Sequence, residues 1–433
     1  MRNSACLVLV ISATTLISAC GGGSSSSSAS TPTTTFSQFS CPSLGTTALF
    51  SITGVRGITG NSGYVYYSGT YSTTDAPFVP KGYLYSGPIN GGGSCNQFSL
   101  ALANANGLTG ATSLSLYGPD NDNLGSASVV GSYSKTALGI NPQLGLLYQG
   151  PSSGVGGTYS TIQPPSNTSI PSSVIFAPAG SAVYNTIIHS NNGGIAVGNY
   201  DYALAGAIPT NPVAKASPVL DTKLTNSDAV GGHAVIYNLI GTSTPSAACT
   251  ANGYCRFSNP NYTESSSDSI TAYGIWFNGG TSYTITGGYA NSVTYNSVTA
   301  PTGTSNNAIG FIADWDSKTQ LVTNFTPLNY NNLPPSTSTT THFEGITPDT
   351  AGTGYNLAGN VTYAGGTGVS PALTHVTRNA NGTFNVAATS WTLVGSYPNS
   401  TATSADTVYL NYIMGVATLT NSLIAYIASV VGQ

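Results

Sequence analysis

His342 and Glu344 stand two residues apart in the stretch THFEGI. On a strand, residues two apart share a face. A histidine beside a carboxylate can hold a metal or pass a proton to a bound substrate. These two are the catalytic candidates of the chain, but no third partner follows them in the sequence. A structural pairing is therefore the plainer reading, and no metal site is assigned. Other carboxylates are as isolated. The stretch GPDNDNLG offers Asp120 and Asp122 in an oxygen-rich turn of the kind calcium uses. It lacks the full ligand spacing and a terminal bidentate Glu. Asp314 and Asp316 flank Trp315 in ADWDS, which reads as a hairpin turn. Two carboxylates facing a glycosidic bond would make a glycosidase, but spacing alone pairs none of these. The letters GPSSG from Gly150 match Gly-x-Ser-x-Gly, yet that motif needs a strand-to-helix turn, and here it sits in a Pro-containing, low-complexity loop. No phosphate loop, dinucleotide fingerprint or metalloprotease motif is visible, so no cofactor is expected.

The elements that would position these groups recur along the chain, and repeats decide the fold before anything else. Five stretches compare well: VRGITGNSGYVYYSGTY, LYGPDNDNLGSASVVGSY, YNTIIHSNNGGIAVGNY, AYGIWFNGGTSYTITGGY and FEGITPDTAGTGYNLAGN. Each has a short apolar strand, a turn rich in Gly, Asn or Asp, and a second strand that usually ends in Gly-x-Tyr. The turn residues supply the positive φ that tight hairpins need. The second strands start near Tyr64, Ser126, Ile195, Tyr283 and Tyr355, and NYIMGVATLTNSLIAYIASV is a degenerate sixth copy. A third strand follows each hairpin (GYLYSG, LGLLYQG, HAVIYN, GFIADWD, and more weakly ALTHV and LIAYIASV). Stretches such as GTYSTIQPP and QLVTNFTPL are candidates for a fourth.

Roughly four strands in each of about six units predict an all-β chain folded as a β-propeller. One such sheet cannot bury both faces alone, whereas blades packed around an axis do so and leave only short edges. A sandwich array and a β-solenoid are the alternatives; a solenoid would show a shorter, stricter period. If the first strand of each repeat is innermost, the residue before its glycine takes an equivalent position in each blade. Those residues are Arg56, Tyr117, Tyr273 and Glu344, with Asn185 at the approximate third position, where no glycine follows. Together they form a candidate ligand-binding ring at the axis. His189, beside SNNGG, is expected to cap a turn.

The stretches HSNNGGIAVGNYD, AYGIWFNGGTSYTITGGY and THFEGI resemble a family of uncharacterised bacterial exported proteins with HAF-type β-propeller repeats, over about residues 50–390. The resemblance implies the fold and carries over no catalytic residue.

The first residues address location. Arg2 precedes an apolar run from Cys6 to Ile17, too short to cross a bilayer, which takes roughly 20 residues, and of the size of a secretory signal. The run ends Ile17-Ser18-Ala19-Cys20, which resembles the lipobox of bacterial lipoproteins and implies that Cys20 is lipidated. Two or three acyl chains anchor stably where one does not. Gly21, in place of Asp, favours the outer membrane. The Gly/Ser/Thr run that follows has nothing to bury and reads as a tether. The expected organisation is a lipoprotein signal peptide over 1–19, lipidated Cys20 and linker over 20–35, and the propeller over 36–433.

Composition fits an exported β protein. Only 5% of residues are charged, yet 40% are hydrophobic and Tyr alone numbers 27, which a disordered chain would not show. The formal charge of −4 leaves no basic footprint for nucleic acid. Apart from Cys6 and Cys20, four cysteines remain, and an even number in an exported chain suggests disulfides. Cys249 and Cys255 close the small loop CTANGYC, and Cys41 then pairs with Cys95, tying the N-terminal segment to the first repeat. A zinc site is disfavoured, since no histidine or second close Cys pair is near. The sequence reading is a monomeric, lipid-anchored cell-envelope propeller that binds a ligand, a glycan or an envelope protein, and touches the membrane only through its anchor. Two alternatives stay open: a polysaccharide-acting hydrolase or lyase, and a surface structural protein or adhesin.

Overall fold

A computed structural model describes residues 32–45, 48–72, 80–121, 126–135, 143–166, 176–177, 182–203, 232–260, 269–290, 294–295, 298–299, 309–333, 339–366, 368–420 and 422–431. The lipidation candidate Cys20 and the signal segment lie outside the described residues. Among the described residues no helix is long and apolar enough to cross a membrane.

Six antiparallel sheets form the six blades of a β-propeller, as the repeats predict. Their innermost strands are Gly54–Gly57, Ala111–Asn121, Ala182–Asn192, Ser269–Gly279, Thr340–Pro348 and Ala402–Tyr409, for blades 1 to 6 in turn. The second strands are Tyr64–Ser72, Ser126–Lys135, Ile195–Ala203, Ser282–Ala290, Gly354–Thr362 and Tyr412–Leu419. The first five begin within a residue of the positions expected from the hairpin turns, and the sixth lies in the degenerate copy. Third strands follow at Lys81–Pro88, Gln143–Pro151, His233–Asn238, Ile309–Asp316, Ser370–Thr377 and Ser422–Val431. A six-residue helix, Leu100–Ala105, capped by the Ser99 hydroxyl, links blades 1 and 2.

The core is not a single mass. Six apolar clusters occur, each between two neighbouring blades. One example sets Ile312 and Leu328 of blade 4 against Phe343, Ile346 and Leu357 of blade 5. This arrangement explains why the second strands are buried on both sides. In Tyr64–Ser72 every residue from Val65 to Tyr71 is buried, so both faces of the pleat meet a neighbouring blade. Outermost strands keep polar, exposed positions, as in Ser94–Phe98.

The ring is closed by the two ends of the described chain. Thr33–Phe39 is the outermost strand of blade 6 and pairs with Ser422–Val431, from Thr33↔Val431 to Phe39↔Ala425. This strand begins three residues inside the stretch read from composition as tether, because Thr33 to Thr35 find partners on the last strand. Immediately after it, Cys41 is bonded to Cys95 on the outer strand of blade 1, with Cα atoms 5.9 Å apart. The bridge therefore spans the blade 6–blade 1 junction, where the ring closes. Cys249 is bonded to Cys255, as expected for the short loop.

Candidate functional site at the propeller axis

The innermost strands of blades 2 to 6 each interrupt their ladder near the middle. The breaks fall between Leu116 and Pro119, Ile188 and Ser190, Ala272 and Gly274, Phe343 and Gly345, and Ala405 and Thr407. Such bulges leave a residue unpaired and re-aim its side chain. Facing each one on the second strand is a glycine: Gly131, Gly198, Gly287, Gly359 and Gly415. At Gly131, Gly198, Gly287 and Gly415 a Cβ would run into a carbonyl oxygen of the inner strand. The glycine of the Gly-x-Tyr signature is thus the partner of the bulge. Blade 1 has the same device at Gly69, where a Cβ would meet the carbonyl of Ser51, while the backbone N–H of Thr53 bonds Ser68 at 3.0 Å. The residues set at the axis are Thr53, Tyr117, His189, Tyr273, Glu344 and Asp406.

Of the residues expected there, Tyr117, Tyr273 and Glu344 hold this position. Arg56 lies three residues beyond Thr53, one layer nearer the hairpin turns. Asn185 lies four residues before His189 and accepts a hydrogen bond from the backbone N–H of Gln143 on blade 2, at 3.1 Å. The third-blade position belongs to His189, which does not cap a turn. Sequence reasoning also missed Thr53 and Asp406.

A second small residue closes the bore. Gly54, Gly118, Ser190, Gly274, Gly345 and Thr407 each follow the bulge residue, and there the inner strands touch backbone to backbone. A Cβ on Gly345 would lie 2.9 Å from Thr407 Cα, and one on Gly274 3.1 Å from Ile346 N. The axial cavity left between them is about 10 Å³, room for a single water. Arg56 plugs the hairpin side. Its Nη2 donates to the Asn191 carbonyl at 2.9 Å, its Nε is 3.8 Å from Asp120, and its guanidinium carbon lies 4.9 Å from the Trp276 ring centroid. Burial pushes its pKa down while Asp120 opposes the shift. Arg56 is a structural keystone shared by blades 1 to 4.

On the other side of the constriction the axial side chains form a shallow polar cup. Thr53, Tyr117, Tyr273, His342, Glu344 and Asp406 are half-buried, and only His189 is fully covered. His342 Nδ1 and Glu344 Oε1 are 2.8 Å apart, and His342 Nε2 is 3.2 Å from the Thr271 hydroxyl. Asn360 donates to Glu344 Oε1 at 3.3 Å and to the Ala405 carbonyl at 2.8 Å, while its Oδ1 accepts from Ala405 N at 2.9 Å. It ties Glu344 to the strand that carries Asp406, whose Oδ1 accepts from Ser404 Oγ at 3.2 Å. Two carboxylates thus occupy equivalent places on adjacent blades. The other arc of the cup is aromatic: His189 stacks on Tyr273 with centroids 3.6 Å apart, Tyr117 is 5.3 Å from His189, and His342 meets Tyr273 edge-on at 4.5 Å. Burial holds His189 neutral, with its pKa pushed down to about 3 although Asn199 Oδ1 accepts its Nε2 proton at 2.6 Å.

Of the other carboxylates singled out in the sequence, Asp120, Asp314 and Asp316 serve the scaffold. Asp120 accepts from Gly193 N and Asn192 Nδ2. Asp122 lies outside the described residues. Asp314 takes both Nη atoms of Arg378 at 2.6 and 2.9 Å, and Asp316 caps the turn through Lys318 N and Thr319 N. Hydrogen bonds from Thr281 and that turn hold the Asp316 pKa low. Ser152 sits between two strands of blade 2, not in a strand-to-helix turn. Among the described residues no group of three or more His, Cys, Asp or Glu is placed to hold a metal.

No protein-family model matches the chain, and no curated protein matches it in sequence. Several solved structures are similar to it at a low level. The GH93 α-L-arabinofuranosidase of Fusarium graminearum, in complex with arabinobiose, is 12% identical with a TM-score of 0.36, over 88% of this chain and 92% of that one. A levansucrase of B. megaterium is 11% identical with a TM-score of 0.37, over 78% and 84%. An ulvan lyase from a new polysaccharide lyase family is 11% identical with a TM-score of 0.34, over 88% and 83%.

Proposed function

We propose that this chain is a lipid-anchored cell-envelope protein that acts on polysaccharide at the axial cup. One observation carries the reading: Glu344 and Asp406 sit at the same bulge position on adjacent blades, with a histidine on Glu344. A pair of carboxylates is what glycosidic cleavage needs, one to give a proton to the departing oxygen and one to serve the sugar carbon or a water. Glu344, bonded to His342, is the group fitted to hand over a proton and recover it. Asp406 is the second carboxylate. Tyr117 and Tyr273 offer flat amphipathic faces on which a sugar ring can rest. Since the bore admits no more than a water, a glycan chain lies across the cup and does not thread the axis. Thr33 pairs with Val431 at the end of blade 6 that carries the Tyr409–Tyr412 hairpin, so a tether from Cys20 would join the propeller at the end opposite the cup.

A glycan-binding module without turnover is the second reading. It is favoured by the hydrogen bonds of Asn360, which tie Glu344 to the Ala405 backbone, and by the aromatic arc, which suits retention. The two are separated with a soluble fragment from Thr33 offered a panel of envelope and environmental polysaccharides. Release of new sugar ends by the wild type, reduced at least ~100-fold in both Glu344→Gln and Asp406→Asn, supports the enzyme. Retention without release makes it a binding module. Release unaffected by either substitution rules out the cup as its source.

A further inference from the structure

We infer a second carbohydrate site, for a single neutral pyranose unit, in the cleft between blades 4 and 5 at the hairpin end of the propeller. The cleft has a volume of about 260 Å³, ample for one sugar ring and too small for a long segment of glycan. It is built from the end of the inner strand of blade 4, the first hairpin of blade 5 and Arg378, just after the third strand of blade 5. None of its lining residues belongs to the cup, and the inference does not depend on the axial reading.

Three features specify the ligand. The first is a fixed aromatic wall. Trp276 lines the cleft and is half-buried, with the Arg56 guanidinium 4.9 Å from its ring centroid. Phe277, next on the strand, turns its ring the other way, onto Gly193 and Tyr283 on the blade 3 side. Rigid aromatic faces bind the C–H face of a sugar ring at little entropic cost. The second is an exposed, oriented amide. Asn278 donates to the Thr284 hydroxyl at 2.9 Å and accepts from Tyr355 Oη at 2.8 Å, which leaves acceptor capacity on Oδ1. An amide set beside an aromatic wall suits the vicinal hydroxyls of a pyranose. The third is the absence of net charge. Arg378 lines the cleft, but both of its Nη atoms are committed to Asp314, and it also donates to Thr284, Tyr355 and Gly382. Burial works against its charge, yet Asp314 and Tyr355 outweigh it and raise its pKa. A guanidinium already neutralised does not select an anion, so the site favours a neutral sugar over a uronic acid.

The test uses the whole propeller with the methyl glycosides of glucose, galactose, mannose and xylose, and with glucuronic acid as the charged control. Binding is followed by titration calorimetry and indole fluorescence. At least one neutral glycoside is expected to bind saturably. Its affinity should fall at least ~10-fold in Asn278→Ala, the worth of one well-placed hydrogen bond, and likewise in Trp276→Leu. Should the Trp276 variant fail to fold, the exposed Asn278 variant decides alone. Glu344→Gln should leave this binding unchanged, which separates the site from the cup. Four glycosides that fail to bind up to their solubility limits would overturn the inference. So would binding that Asn278→Ala leaves intact, or binding confined to glucuronic acid.

Discussion

Acid should weaken this propeller through one buried ring. His189 is 6% exposed, and its pKa falls from 6.5 to about 3 in the folded chain because burial disfavours the charged imidazolium. The Asn199 bond raises it and the nearby His342 lowers it further, but burial dominates. Above about pH 6.5 the residue is neutral folded or unfolded and contributes nothing to pH dependence. Below that, the unfolded chain takes up a proton that the folded chain refuses, so stability falls with pH by about 1.4 kcal/mol per unit. The loss reaches about 3 kcal/mol at about pH 4.5 and levels off near 5 kcal/mol below about pH 3. Carboxylates also titrate in this range, so the effect is isolated against His189→Gln, whose amide can still donate to Asn199 but carries no titrating ring. Guanidinium unfolding of both proteins is measured at about pH 7 and about pH 4.5. The wild type should lose about 3 kcal/mol more than the variant. Equal losses in the two proteins would refute the reasoning, as would an NMR titration that puts the His189 imidazole near its ordinary value.

Two further perturbations probe how the ring is held. Replacing Cys41 and Cys95 with serine opens a loop of 54 residues at the blade 6–blade 1 junction. Loop entropy puts the cost at about 4 kcal/mol, read as a lower guanidinium midpoint, against about 2 kcal/mol for the Cys249–Cys255 pair. Gly345→Ala places a methyl 2.9 Å from Thr407 Cα, where only backbone can give way. It should cost about 1–3 kcal/mol, and calorimetry should show a lower melting temperature with the blade count unchanged.

Much of the blade architecture was legible because it rests on local chemistry. Turn residues mark the hairpins, and strands buried on both faces read as apolar runs, so the second and third strands fall where the pattern puts them. The two disulfides follow from cysteine number and spacing. Closure by Thr33–Phe39 was not legible. That strand is short, polar and outermost, and its partner lies some four hundred residues away in the chain. The axial residues were legible only where a glycine follows them. Tyr117, Tyr273 and Glu344 have that glycine, whereas His189 is followed by serine and Asp406 by threonine, which serve the same close approach. In blade 1 both Thr53-Gly54 and Arg56-Gly57 precede the hairpin, and aligning the repeats on VRGITG picks the second. The usable signal was the glycine of the Gly-x-Tyr signature, because it faces the bulge; counting back across the hairpin from Gly69 or Gly198 reaches Thr53 or His189.

The sequence by itself therefore determined the blades, their approximate number and the bridges, since each depends on residues near one another or on a repeated pattern. The tertiary structure alone decided that Arg56 plugs the bore, that Asn185 faces a neighbouring blade, that Asp406 joins Glu344 at the cup, and that Trp276 and Asn278 share a cleft. Those facts depend on which strand positions meet across the axis. That meeting is set by a one-residue bulge in each ladder, and a single step of register moves a side chain from one environment to another.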